Sequence, residues 1–187
     1  GDRQSGVSTT VANMAKLYAS VGKSVLIVDL DIKRRFQPRL FPDYEDALSL
    51  DSRISHSLLV SLINARNLGE VVAGVDDNIS LITVHSSVER PIQRFANKDI
   101  SEVFNGANLV NLFSYARSVF DVVLVDFPFE VIQEVGHSLS YVDHVLLCVK
   151  NTEYHLDNLL TIEIEGLLLE NDIVANTLLS KSKLLLT

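Results

Sequence analysis

Gly1-Asp2-Arg3-Gln4-Ser5-Gly6-Val7-Ser8-Thr9 opens the chain with a glycine, four residues, a second glycine, one residue and then hydroxyls, directly ahead of a segment of helical period. With this spacing backbone amides can cradle a phosphate: the glycines let the main chain curl close to an anion, and the helix N-terminus adds its dipole. At the position of Val7 a full-strength loop carries a lysine that bridges the outer phosphates, and valine has no charge to offer. The hydroxyl of Ser8 stands where such loops reach Mg²⁺. The pattern therefore keeps its amide lining, Gly1, Arg3, Gln4, Ser5, Gly6, Val7, Ser8 and Thr9, and loses its cation. A cation of that kind acts mainly on the transition state, so binding is expected to survive while hydrolysis becomes weak or absent. Taken alone, the same residues also describe a glycine-containing turn capped by Ser8 or Thr9.

The next apolar run tips the balance toward a phosphate site. Val25-Leu26-Ile27-Val28-Asp29-Leu30-Asp31 reads as a buried strand ending in two acids at alternate positions, so both side chains leave the strand tip on one side. Phe120-Asp121-Val122-Val123-Leu124-Val125-Asp126 ends the same way. Beside a phosphate loop, acids so placed hold a metal through water or orient an attacking water. Asp31 is accordingly the catalytic candidate, and Ser8, Asp29 and Asp126 are the metal candidates. Single strand-end acids more often only cap or solvate their strands.

Apolar β-branched runs at 24–28, 79–84, 122–125 and 142–149, with a weaker one at Ile173–Leu179, alternate with helical segments. This alternation predicts a mostly parallel sheet with helices on both faces. The helices are expected from Thr9 to about Ser20, closed by Gly22, and over Ile54–Leu68, Ile100–Arg117 and Leu156–Leu169. After Leu178 a strand should close and a helix begin. No repeat or linker divides the 187 residues, so one domain is expected over the whole length. A phosphate loop normally follows a strand, so the first strand is expected to precede Gly1 in a longer protein.

Composition narrows the partners. A formal charge of −8 makes no strong case for nucleic acid, and 47% hydrophobic residues suffice for a core. The lone Cys148 sits in an apolar run, which points to a reducing, cytoplasmic compartment. The five histidines lack metal-ligand spacing, and the serines form no nucleophile elbow.

These motifs, in this order, resemble the ParA/MinD superfamily of deviant Walker ATPases, which includes the polysaccharide-associated tyrosine kinases and the TadZ/CpaE proteins of pilus assembly. The resemblance runs through Gly1–Thr10, Ala19-Ser20-Val21-Gly22-Lys23, Val25–Asp31, Phe120–Pro128 and Val142–Val149. It implies a doubly wound, SIMIBI-type P-loop fold, ATP with Mg²⁺ at the loop, and a face-to-face homodimer promoted by nucleotide. It further implies protein partners of an assembly or localisation system and, in some members, peripheral attachment to the inner face of the membrane. Two departures stand out: the family's extra lysine after the first glycine is Asp2 here, and the second lysine is Val7. Lys33, Arg34 and Arg35 either approach the phosphates or form a solvated basic turn. With no tyrosine after Tyr154, kinase activity is not expected. The implied function is a nucleotide-dependent dimerising positional or assembly factor; the alternatives are a working ATPase of the partition or cell-division type and a nucleotide-free scaffold.

Overall fold

A computed structural model describes residues 5–31, 37–41, 67–83, 106–127, 129, 132 and 136–187. The chain is mixed α/β, with mostly parallel strands flanked by helices, and it divides into two compact units, Ser8–Phe127 and Gly1–Val7 with Pro128–Thr187. The expected helix over 54–66, the start of the next at 100–105, the basic turn 32–36 and the loop residues 1–4 lie outside the described residues.

In the unit Ser8–Phe127 the sheet is built on β1 (Val25–Asp29), whose five residues are all buried. Its neighbours are β3 (Ile79–Ile82) and β4 (Val122–Asp126), both parallel to it, and β2 (Ala73–Asp76) pairs antiparallel with β3. Among the described residues the order is β2-β3-β1-β4, with β4 last and Val122 to Val125 half-buried. A continuous aliphatic run suits β1, covered on both faces. The β2–β3 hairpin was not foreseen; its signal was the Asp76-Asp77-Asn78 cluster, in which Asn78 adopts φ 59° as hairpin turns demand.

Helix α1 (Val7–Ser20) buries Val11, Ala12 and Ala15. It ends as anticipated at Gly22, whose φ is +80°. Gly22 N–H donates to Ala19 C=O at 2.9 Å and Lys23 N–H to Tyr18 C=O at 3.1 Å, the paired bonds of a left-handed C-terminal cap. Helix α2 (Gln37–Leu40) is a short turn followed by Phe41, over whose ring Lys16 Nζ sits 5.6 Å from the centroid. Helix α3 (Gly106–Val119) buries Leu109, Leu112, Phe113 and Ala116 at helical spacing.

A polar clamp fixes how β1 lies against β4. Asp121 Oδ2 accepts from Ser24 N–H at 2.9 Å and from Ser24 Oγ at 3.0 Å, and Asp121 N–H donates back to Ser24 Oγ at 3.0 Å. Those bonds hold the Asp121 carboxyl below its ordinary pKa. The clamp sits at the start of both strands and agrees with a register in which Asp29 stands opposite Asp126 at their other ends.

In the other unit β5 (Val145–Val149) and β6 (Ser182–Leu186) form a parallel pair. Between them runs helical chain: α4 (Glu153–Asp157), a π-helical stretch Asn158–Ile164, α5 (Glu165–Glu170) and α6 (Asp172–Lys181). The expected strand Ile173–Leu179 is therefore wrong: it lies inside α6, and the strand follows at 182–186. Val174, Ala175 and Leu178 are buried at helical spacing, and Asn171 Oδ1 caps the helix by accepting from Val174 N–H at 3.2 Å. Likewise, a helix closes and a strand begins after Leu178, the reverse of the expected order. Lys181 ends α6 with Nζ donating to the carbonyls of Leu139 and Val142, each at 2.7 Å, which ties α6 to the 3₁₀ turn Gly136–Tyr141.

Candidate functional site

Strand ends are where parallel sheets present side chains to ligands, because the backbone stops pairing there while the strands hold each residue in register. Asp29 and Asp126 occupy the matched ends of β1 and β4, and both are buried, at 1% and 3% exposure. Asp29 Oδ1 accepts the backbone N–H of Asp31 at 3.0 Å, and Asp29 Oδ2 accepts the hydroxyl of Thr83 at 3.1 Å. Burial first, and then the Asp126 charge beside it, push the Asp29 carboxyl up to about 7, against the pull of those two hydrogen bonds. Two carboxylates are thus kept close together at the cost of one ionisation.

Asp31 follows β1, buried, its backbone held by the bond to Asp29. Leu30 N–H donates to the carbonyl of Asp126 at 3.0 Å, which extends the pairing of β1 and β4 just past the strand ends. The sequence pattern thus led to all three acids, and the structure gathers them at one end of one sheet. Ser8 lies in the first turn of α1, and Gln37 connects it to the acids: Gln37 Nε2 donates to Ser8 C=O at 3.0 Å and to Asp126 Oδ2 at 2.8 Å. Sequence reasoning missed Gln37 and Thr83. Neither stands in a motif, and each meets its carboxylate only through the fold.

Among the described residues no three Asp, Glu, His or Cys side chains converge as a ready-made metal cage. Such a site suits a cation that keeps most of its waters and leans on phosphate oxygens, as Mg²⁺ does. The buried side-chain oxygen of Gln37 is a further hard oxygen, of the kind that coordinates Mg²⁺ or accepts hydrogen bonds from its waters.

Of the remaining loop residues, Thr9 shares the unit Ser8–Phe127 and the others belong to the other unit. Gly6 has φ +77°, a left-handed conformation that glycine adopts without strain, and it leads into α1. Ser5 is buried and its carbonyl accepts from Thr187 Oγ1 at 3.0 Å. A Cβ added at Gly6 would meet Thr187 Cγ2 at 3.4 Å. Val7 and Thr9 lie in the first turn of α1, whereas Gly1, Arg3 and Gln4 lie outside the described residues. No helix among the described residues is long and apolar enough to cross a membrane.

Comparison with known proteins agrees with this fold. The family model described as an AAA domain matches residues 4–170. A plasmid partition protein from Borrelia burgdorferi, crystallised with AMPPNP, superposes with a TM-score of 0.66 at 16% identity, over 99% of this chain and 70% of that one. Cobyrinic acid a,c-diamide synthase from Mycobacterium smegmatis, with bound ADP and magnesium, gives 0.65 at 18% identity, over 98% and 66%. The BceF tyrosine kinase domain gives 0.62 at 21%, over 97% and 64%. No curated protein sequence matches.

Proposed function

The chain belongs to the AAA domain family, among the ParA/MinD-like P-loop ATPases, and on that premise we propose that it binds ATP with Mg²⁺ and hydrolyses it weakly or not at all. The observation that carries the reading is the buried pair Asp29 and Asp126 at adjacent strand ends, tied through Gln37 to Ser8 in the first turn of α1. Burial, and then the charge of Asp126, raise the Asp29 carboxyl to about 7, an unfavourable setting for a pair of acids that fits a place prepared for positive charge.

In this reading Gly1, Arg3, Gln4, Ser5, Gly6, Val7, Ser8 and Thr9 would bind the phosphates. Ser8, Asp29 and Asp126 would hold Mg²⁺, the two acids through its waters. Bound Mg²⁺ neutralises charge on the outer phosphates. Asp31 orients a water toward the terminal phosphate. Val7 supplies no compensating charge, and the acid at position 2 supplies the wrong sign, so the charge that develops during transfer has no protein cation to meet it. Nucleotide then serves as a ligand that favours one assembly state, a homodimer acting as a positional or assembly factor, with protein partners rather than nucleic acid. The alternative, a working ATPase of the partition type, draws support from the intact acid set.

The test is thermal unfolding with ATP and Mg²⁺, read beside phosphate release. At a hundred times its Kd the ligand should stabilise the fold by about 2.7 kcal/mol. Stabilisation without steady phosphate release supports the proposal. Steady release that vanishes in Asp31→Ala would instead favour the ATPase. The absence of any shift at millimolar ATP would sink the nucleotide role.

A further inference from the structure

At the first residue of α2 a fully buried side chain has an atom without a partner. Among the described residues the Gln37 side chain makes its hydrogen bonds through Nε2, to the carbonyl of Ser8 and to Asp126 Oδ2. Two acceptors on that side fix which way the amide faces, because a flipped amide would press its oxygen against a carbonyl and a carboxylate. The remaining atom, Oε1, is buried and has no hydrogen-bond partner among the described residues. Buried acceptors in native proteins are nearly always satisfied, so an orphan at this point calls for a donor that the described residues do not supply.

The surroundings say what kind of donor. Asp29 and Asp126 make the neighbourhood anionic, and nucleotide phosphates offer only further acceptors. A water held by a divalent cation is a strong donor, and its complement is a neutral amide oxygen. Gln37 is moreover bonded to the two residues, Ser8 and Asp126, on which the cation side of the site draws. A residue present only to fill space needs no amide, and one present only to donate to Asp126 needs no acceptor.

We propose that Gln37 is the positioning residue of the cation side: Nε2 tethers Asp126 to the first turn of α1, and Oε1 accepts a hydrogen bond from a water of the bound divalent cation. The assignment rests on the nucleotide and magnesium reading above. It makes α2 answer to the metal, since the partner that completes Gln37 arrives with Mg²⁺ and not with ATP alone.

The experiment measures ATP affinity by titration calorimetry in EDTA and again with excess Mg²⁺, for the wild-type chain and for Gln37→Met, which keeps volume and removes both polar atoms. The readout is the factor by which Mg²⁺ tightens ATP. It should fall about tenfold in the variant, as loss of an outer-shell partner typically does. An equal factor in both proteins overturns the assignment while leaving ATP binding in place. A wild-type chain that binds no ATP in either buffer overturns the nucleotide reading and this assignment with it. Should Gln37→Met fail to fold, a crystal of the wild-type chain with AMPPNP and Mg²⁺ decides: a cation-bound water on Oε1 supports the proposal, and Oε1 facing a protein donor or no water refutes it.

Discussion

Asp29 illustrates what a carboxylate buried beside another acid costs the protein that carries it. Its carboxyl titrates near 7 in the folded chain and at the ordinary 3.8 once unfolded. Between those values the native state keeps a proton that the unfolded state has released, so the contribution of this group to stability is greatest at low pH, falls as pH rises toward 7 and is flat beyond. A shift of that size corresponds to roughly 4 kcal/mol at most. Asp29→Asn removes the titration and leaves polar atoms for Thr83 and the Asp31 amide. Without Mg²⁺, the melting temperature of the variant should gain on wild type between pH 5 and pH 8; a gap that stays constant would contradict the raised pKa. The acids themselves were legible in the sequence, because an aliphatic run ending in Asp marks a strand tip wherever it occurs. Gln37 was not, since its carboxylate partner lies 89 positions away and no local pattern encodes that meeting. Thr83, 54 positions from Asp29, was hidden for the same reason.

Among the elements, the central strands and the first helix were readable because several signals agree: apolar continuity, a closing glycine and a hydroxyl near the start. Residues 173–179 misled because isoleucine and valine beside leucines suggest a strand, while the deciding facts, the Asn171 cap and the burial of Val174, Ala175 and Leu178, belong to a helix. Helix α6 is seated closely. A Cβ on Gly136 would lie 2.4 Å from Val174 Cγ1 and 3.1 Å from its Cβ, and valine, branched at Cβ, has little freedom to turn away. Gly136→Ala should therefore destabilise the chain by about 1–3 kcal/mol, measurable by urea unfolding. Gly136→Ala paired with Val174→Ala should recover part of that loss, since the second change removes the atoms that obstruct the first. Recovery in the double variant would locate the strain between the 3₁₀ turn and α6.

For the whole molecule, alternating strands and helices fixed the class, a mostly parallel sheet with helices, before any coordinate was needed. The run at 79–84 reads as a strand, but its antiparallel partner β2 escaped because it is four residues long, too short for periodicity to show. Strand β4 carries the last consequence. Val122 to Val125 form a flat aliphatic row, paired with β1 on one side and with no described strand on the other. Such a row is a template: the outer amides and carbonyls, which pair with no strand among the described residues, can enlist an extended segment, including the same row on another copy. Concentrated solutions agitated at neutral pH should accordingly seed thioflavin-positive aggregates after a lag. Conditions that cover this margin should lengthen the lag, making its duration a gauge of how well β4 is shielded.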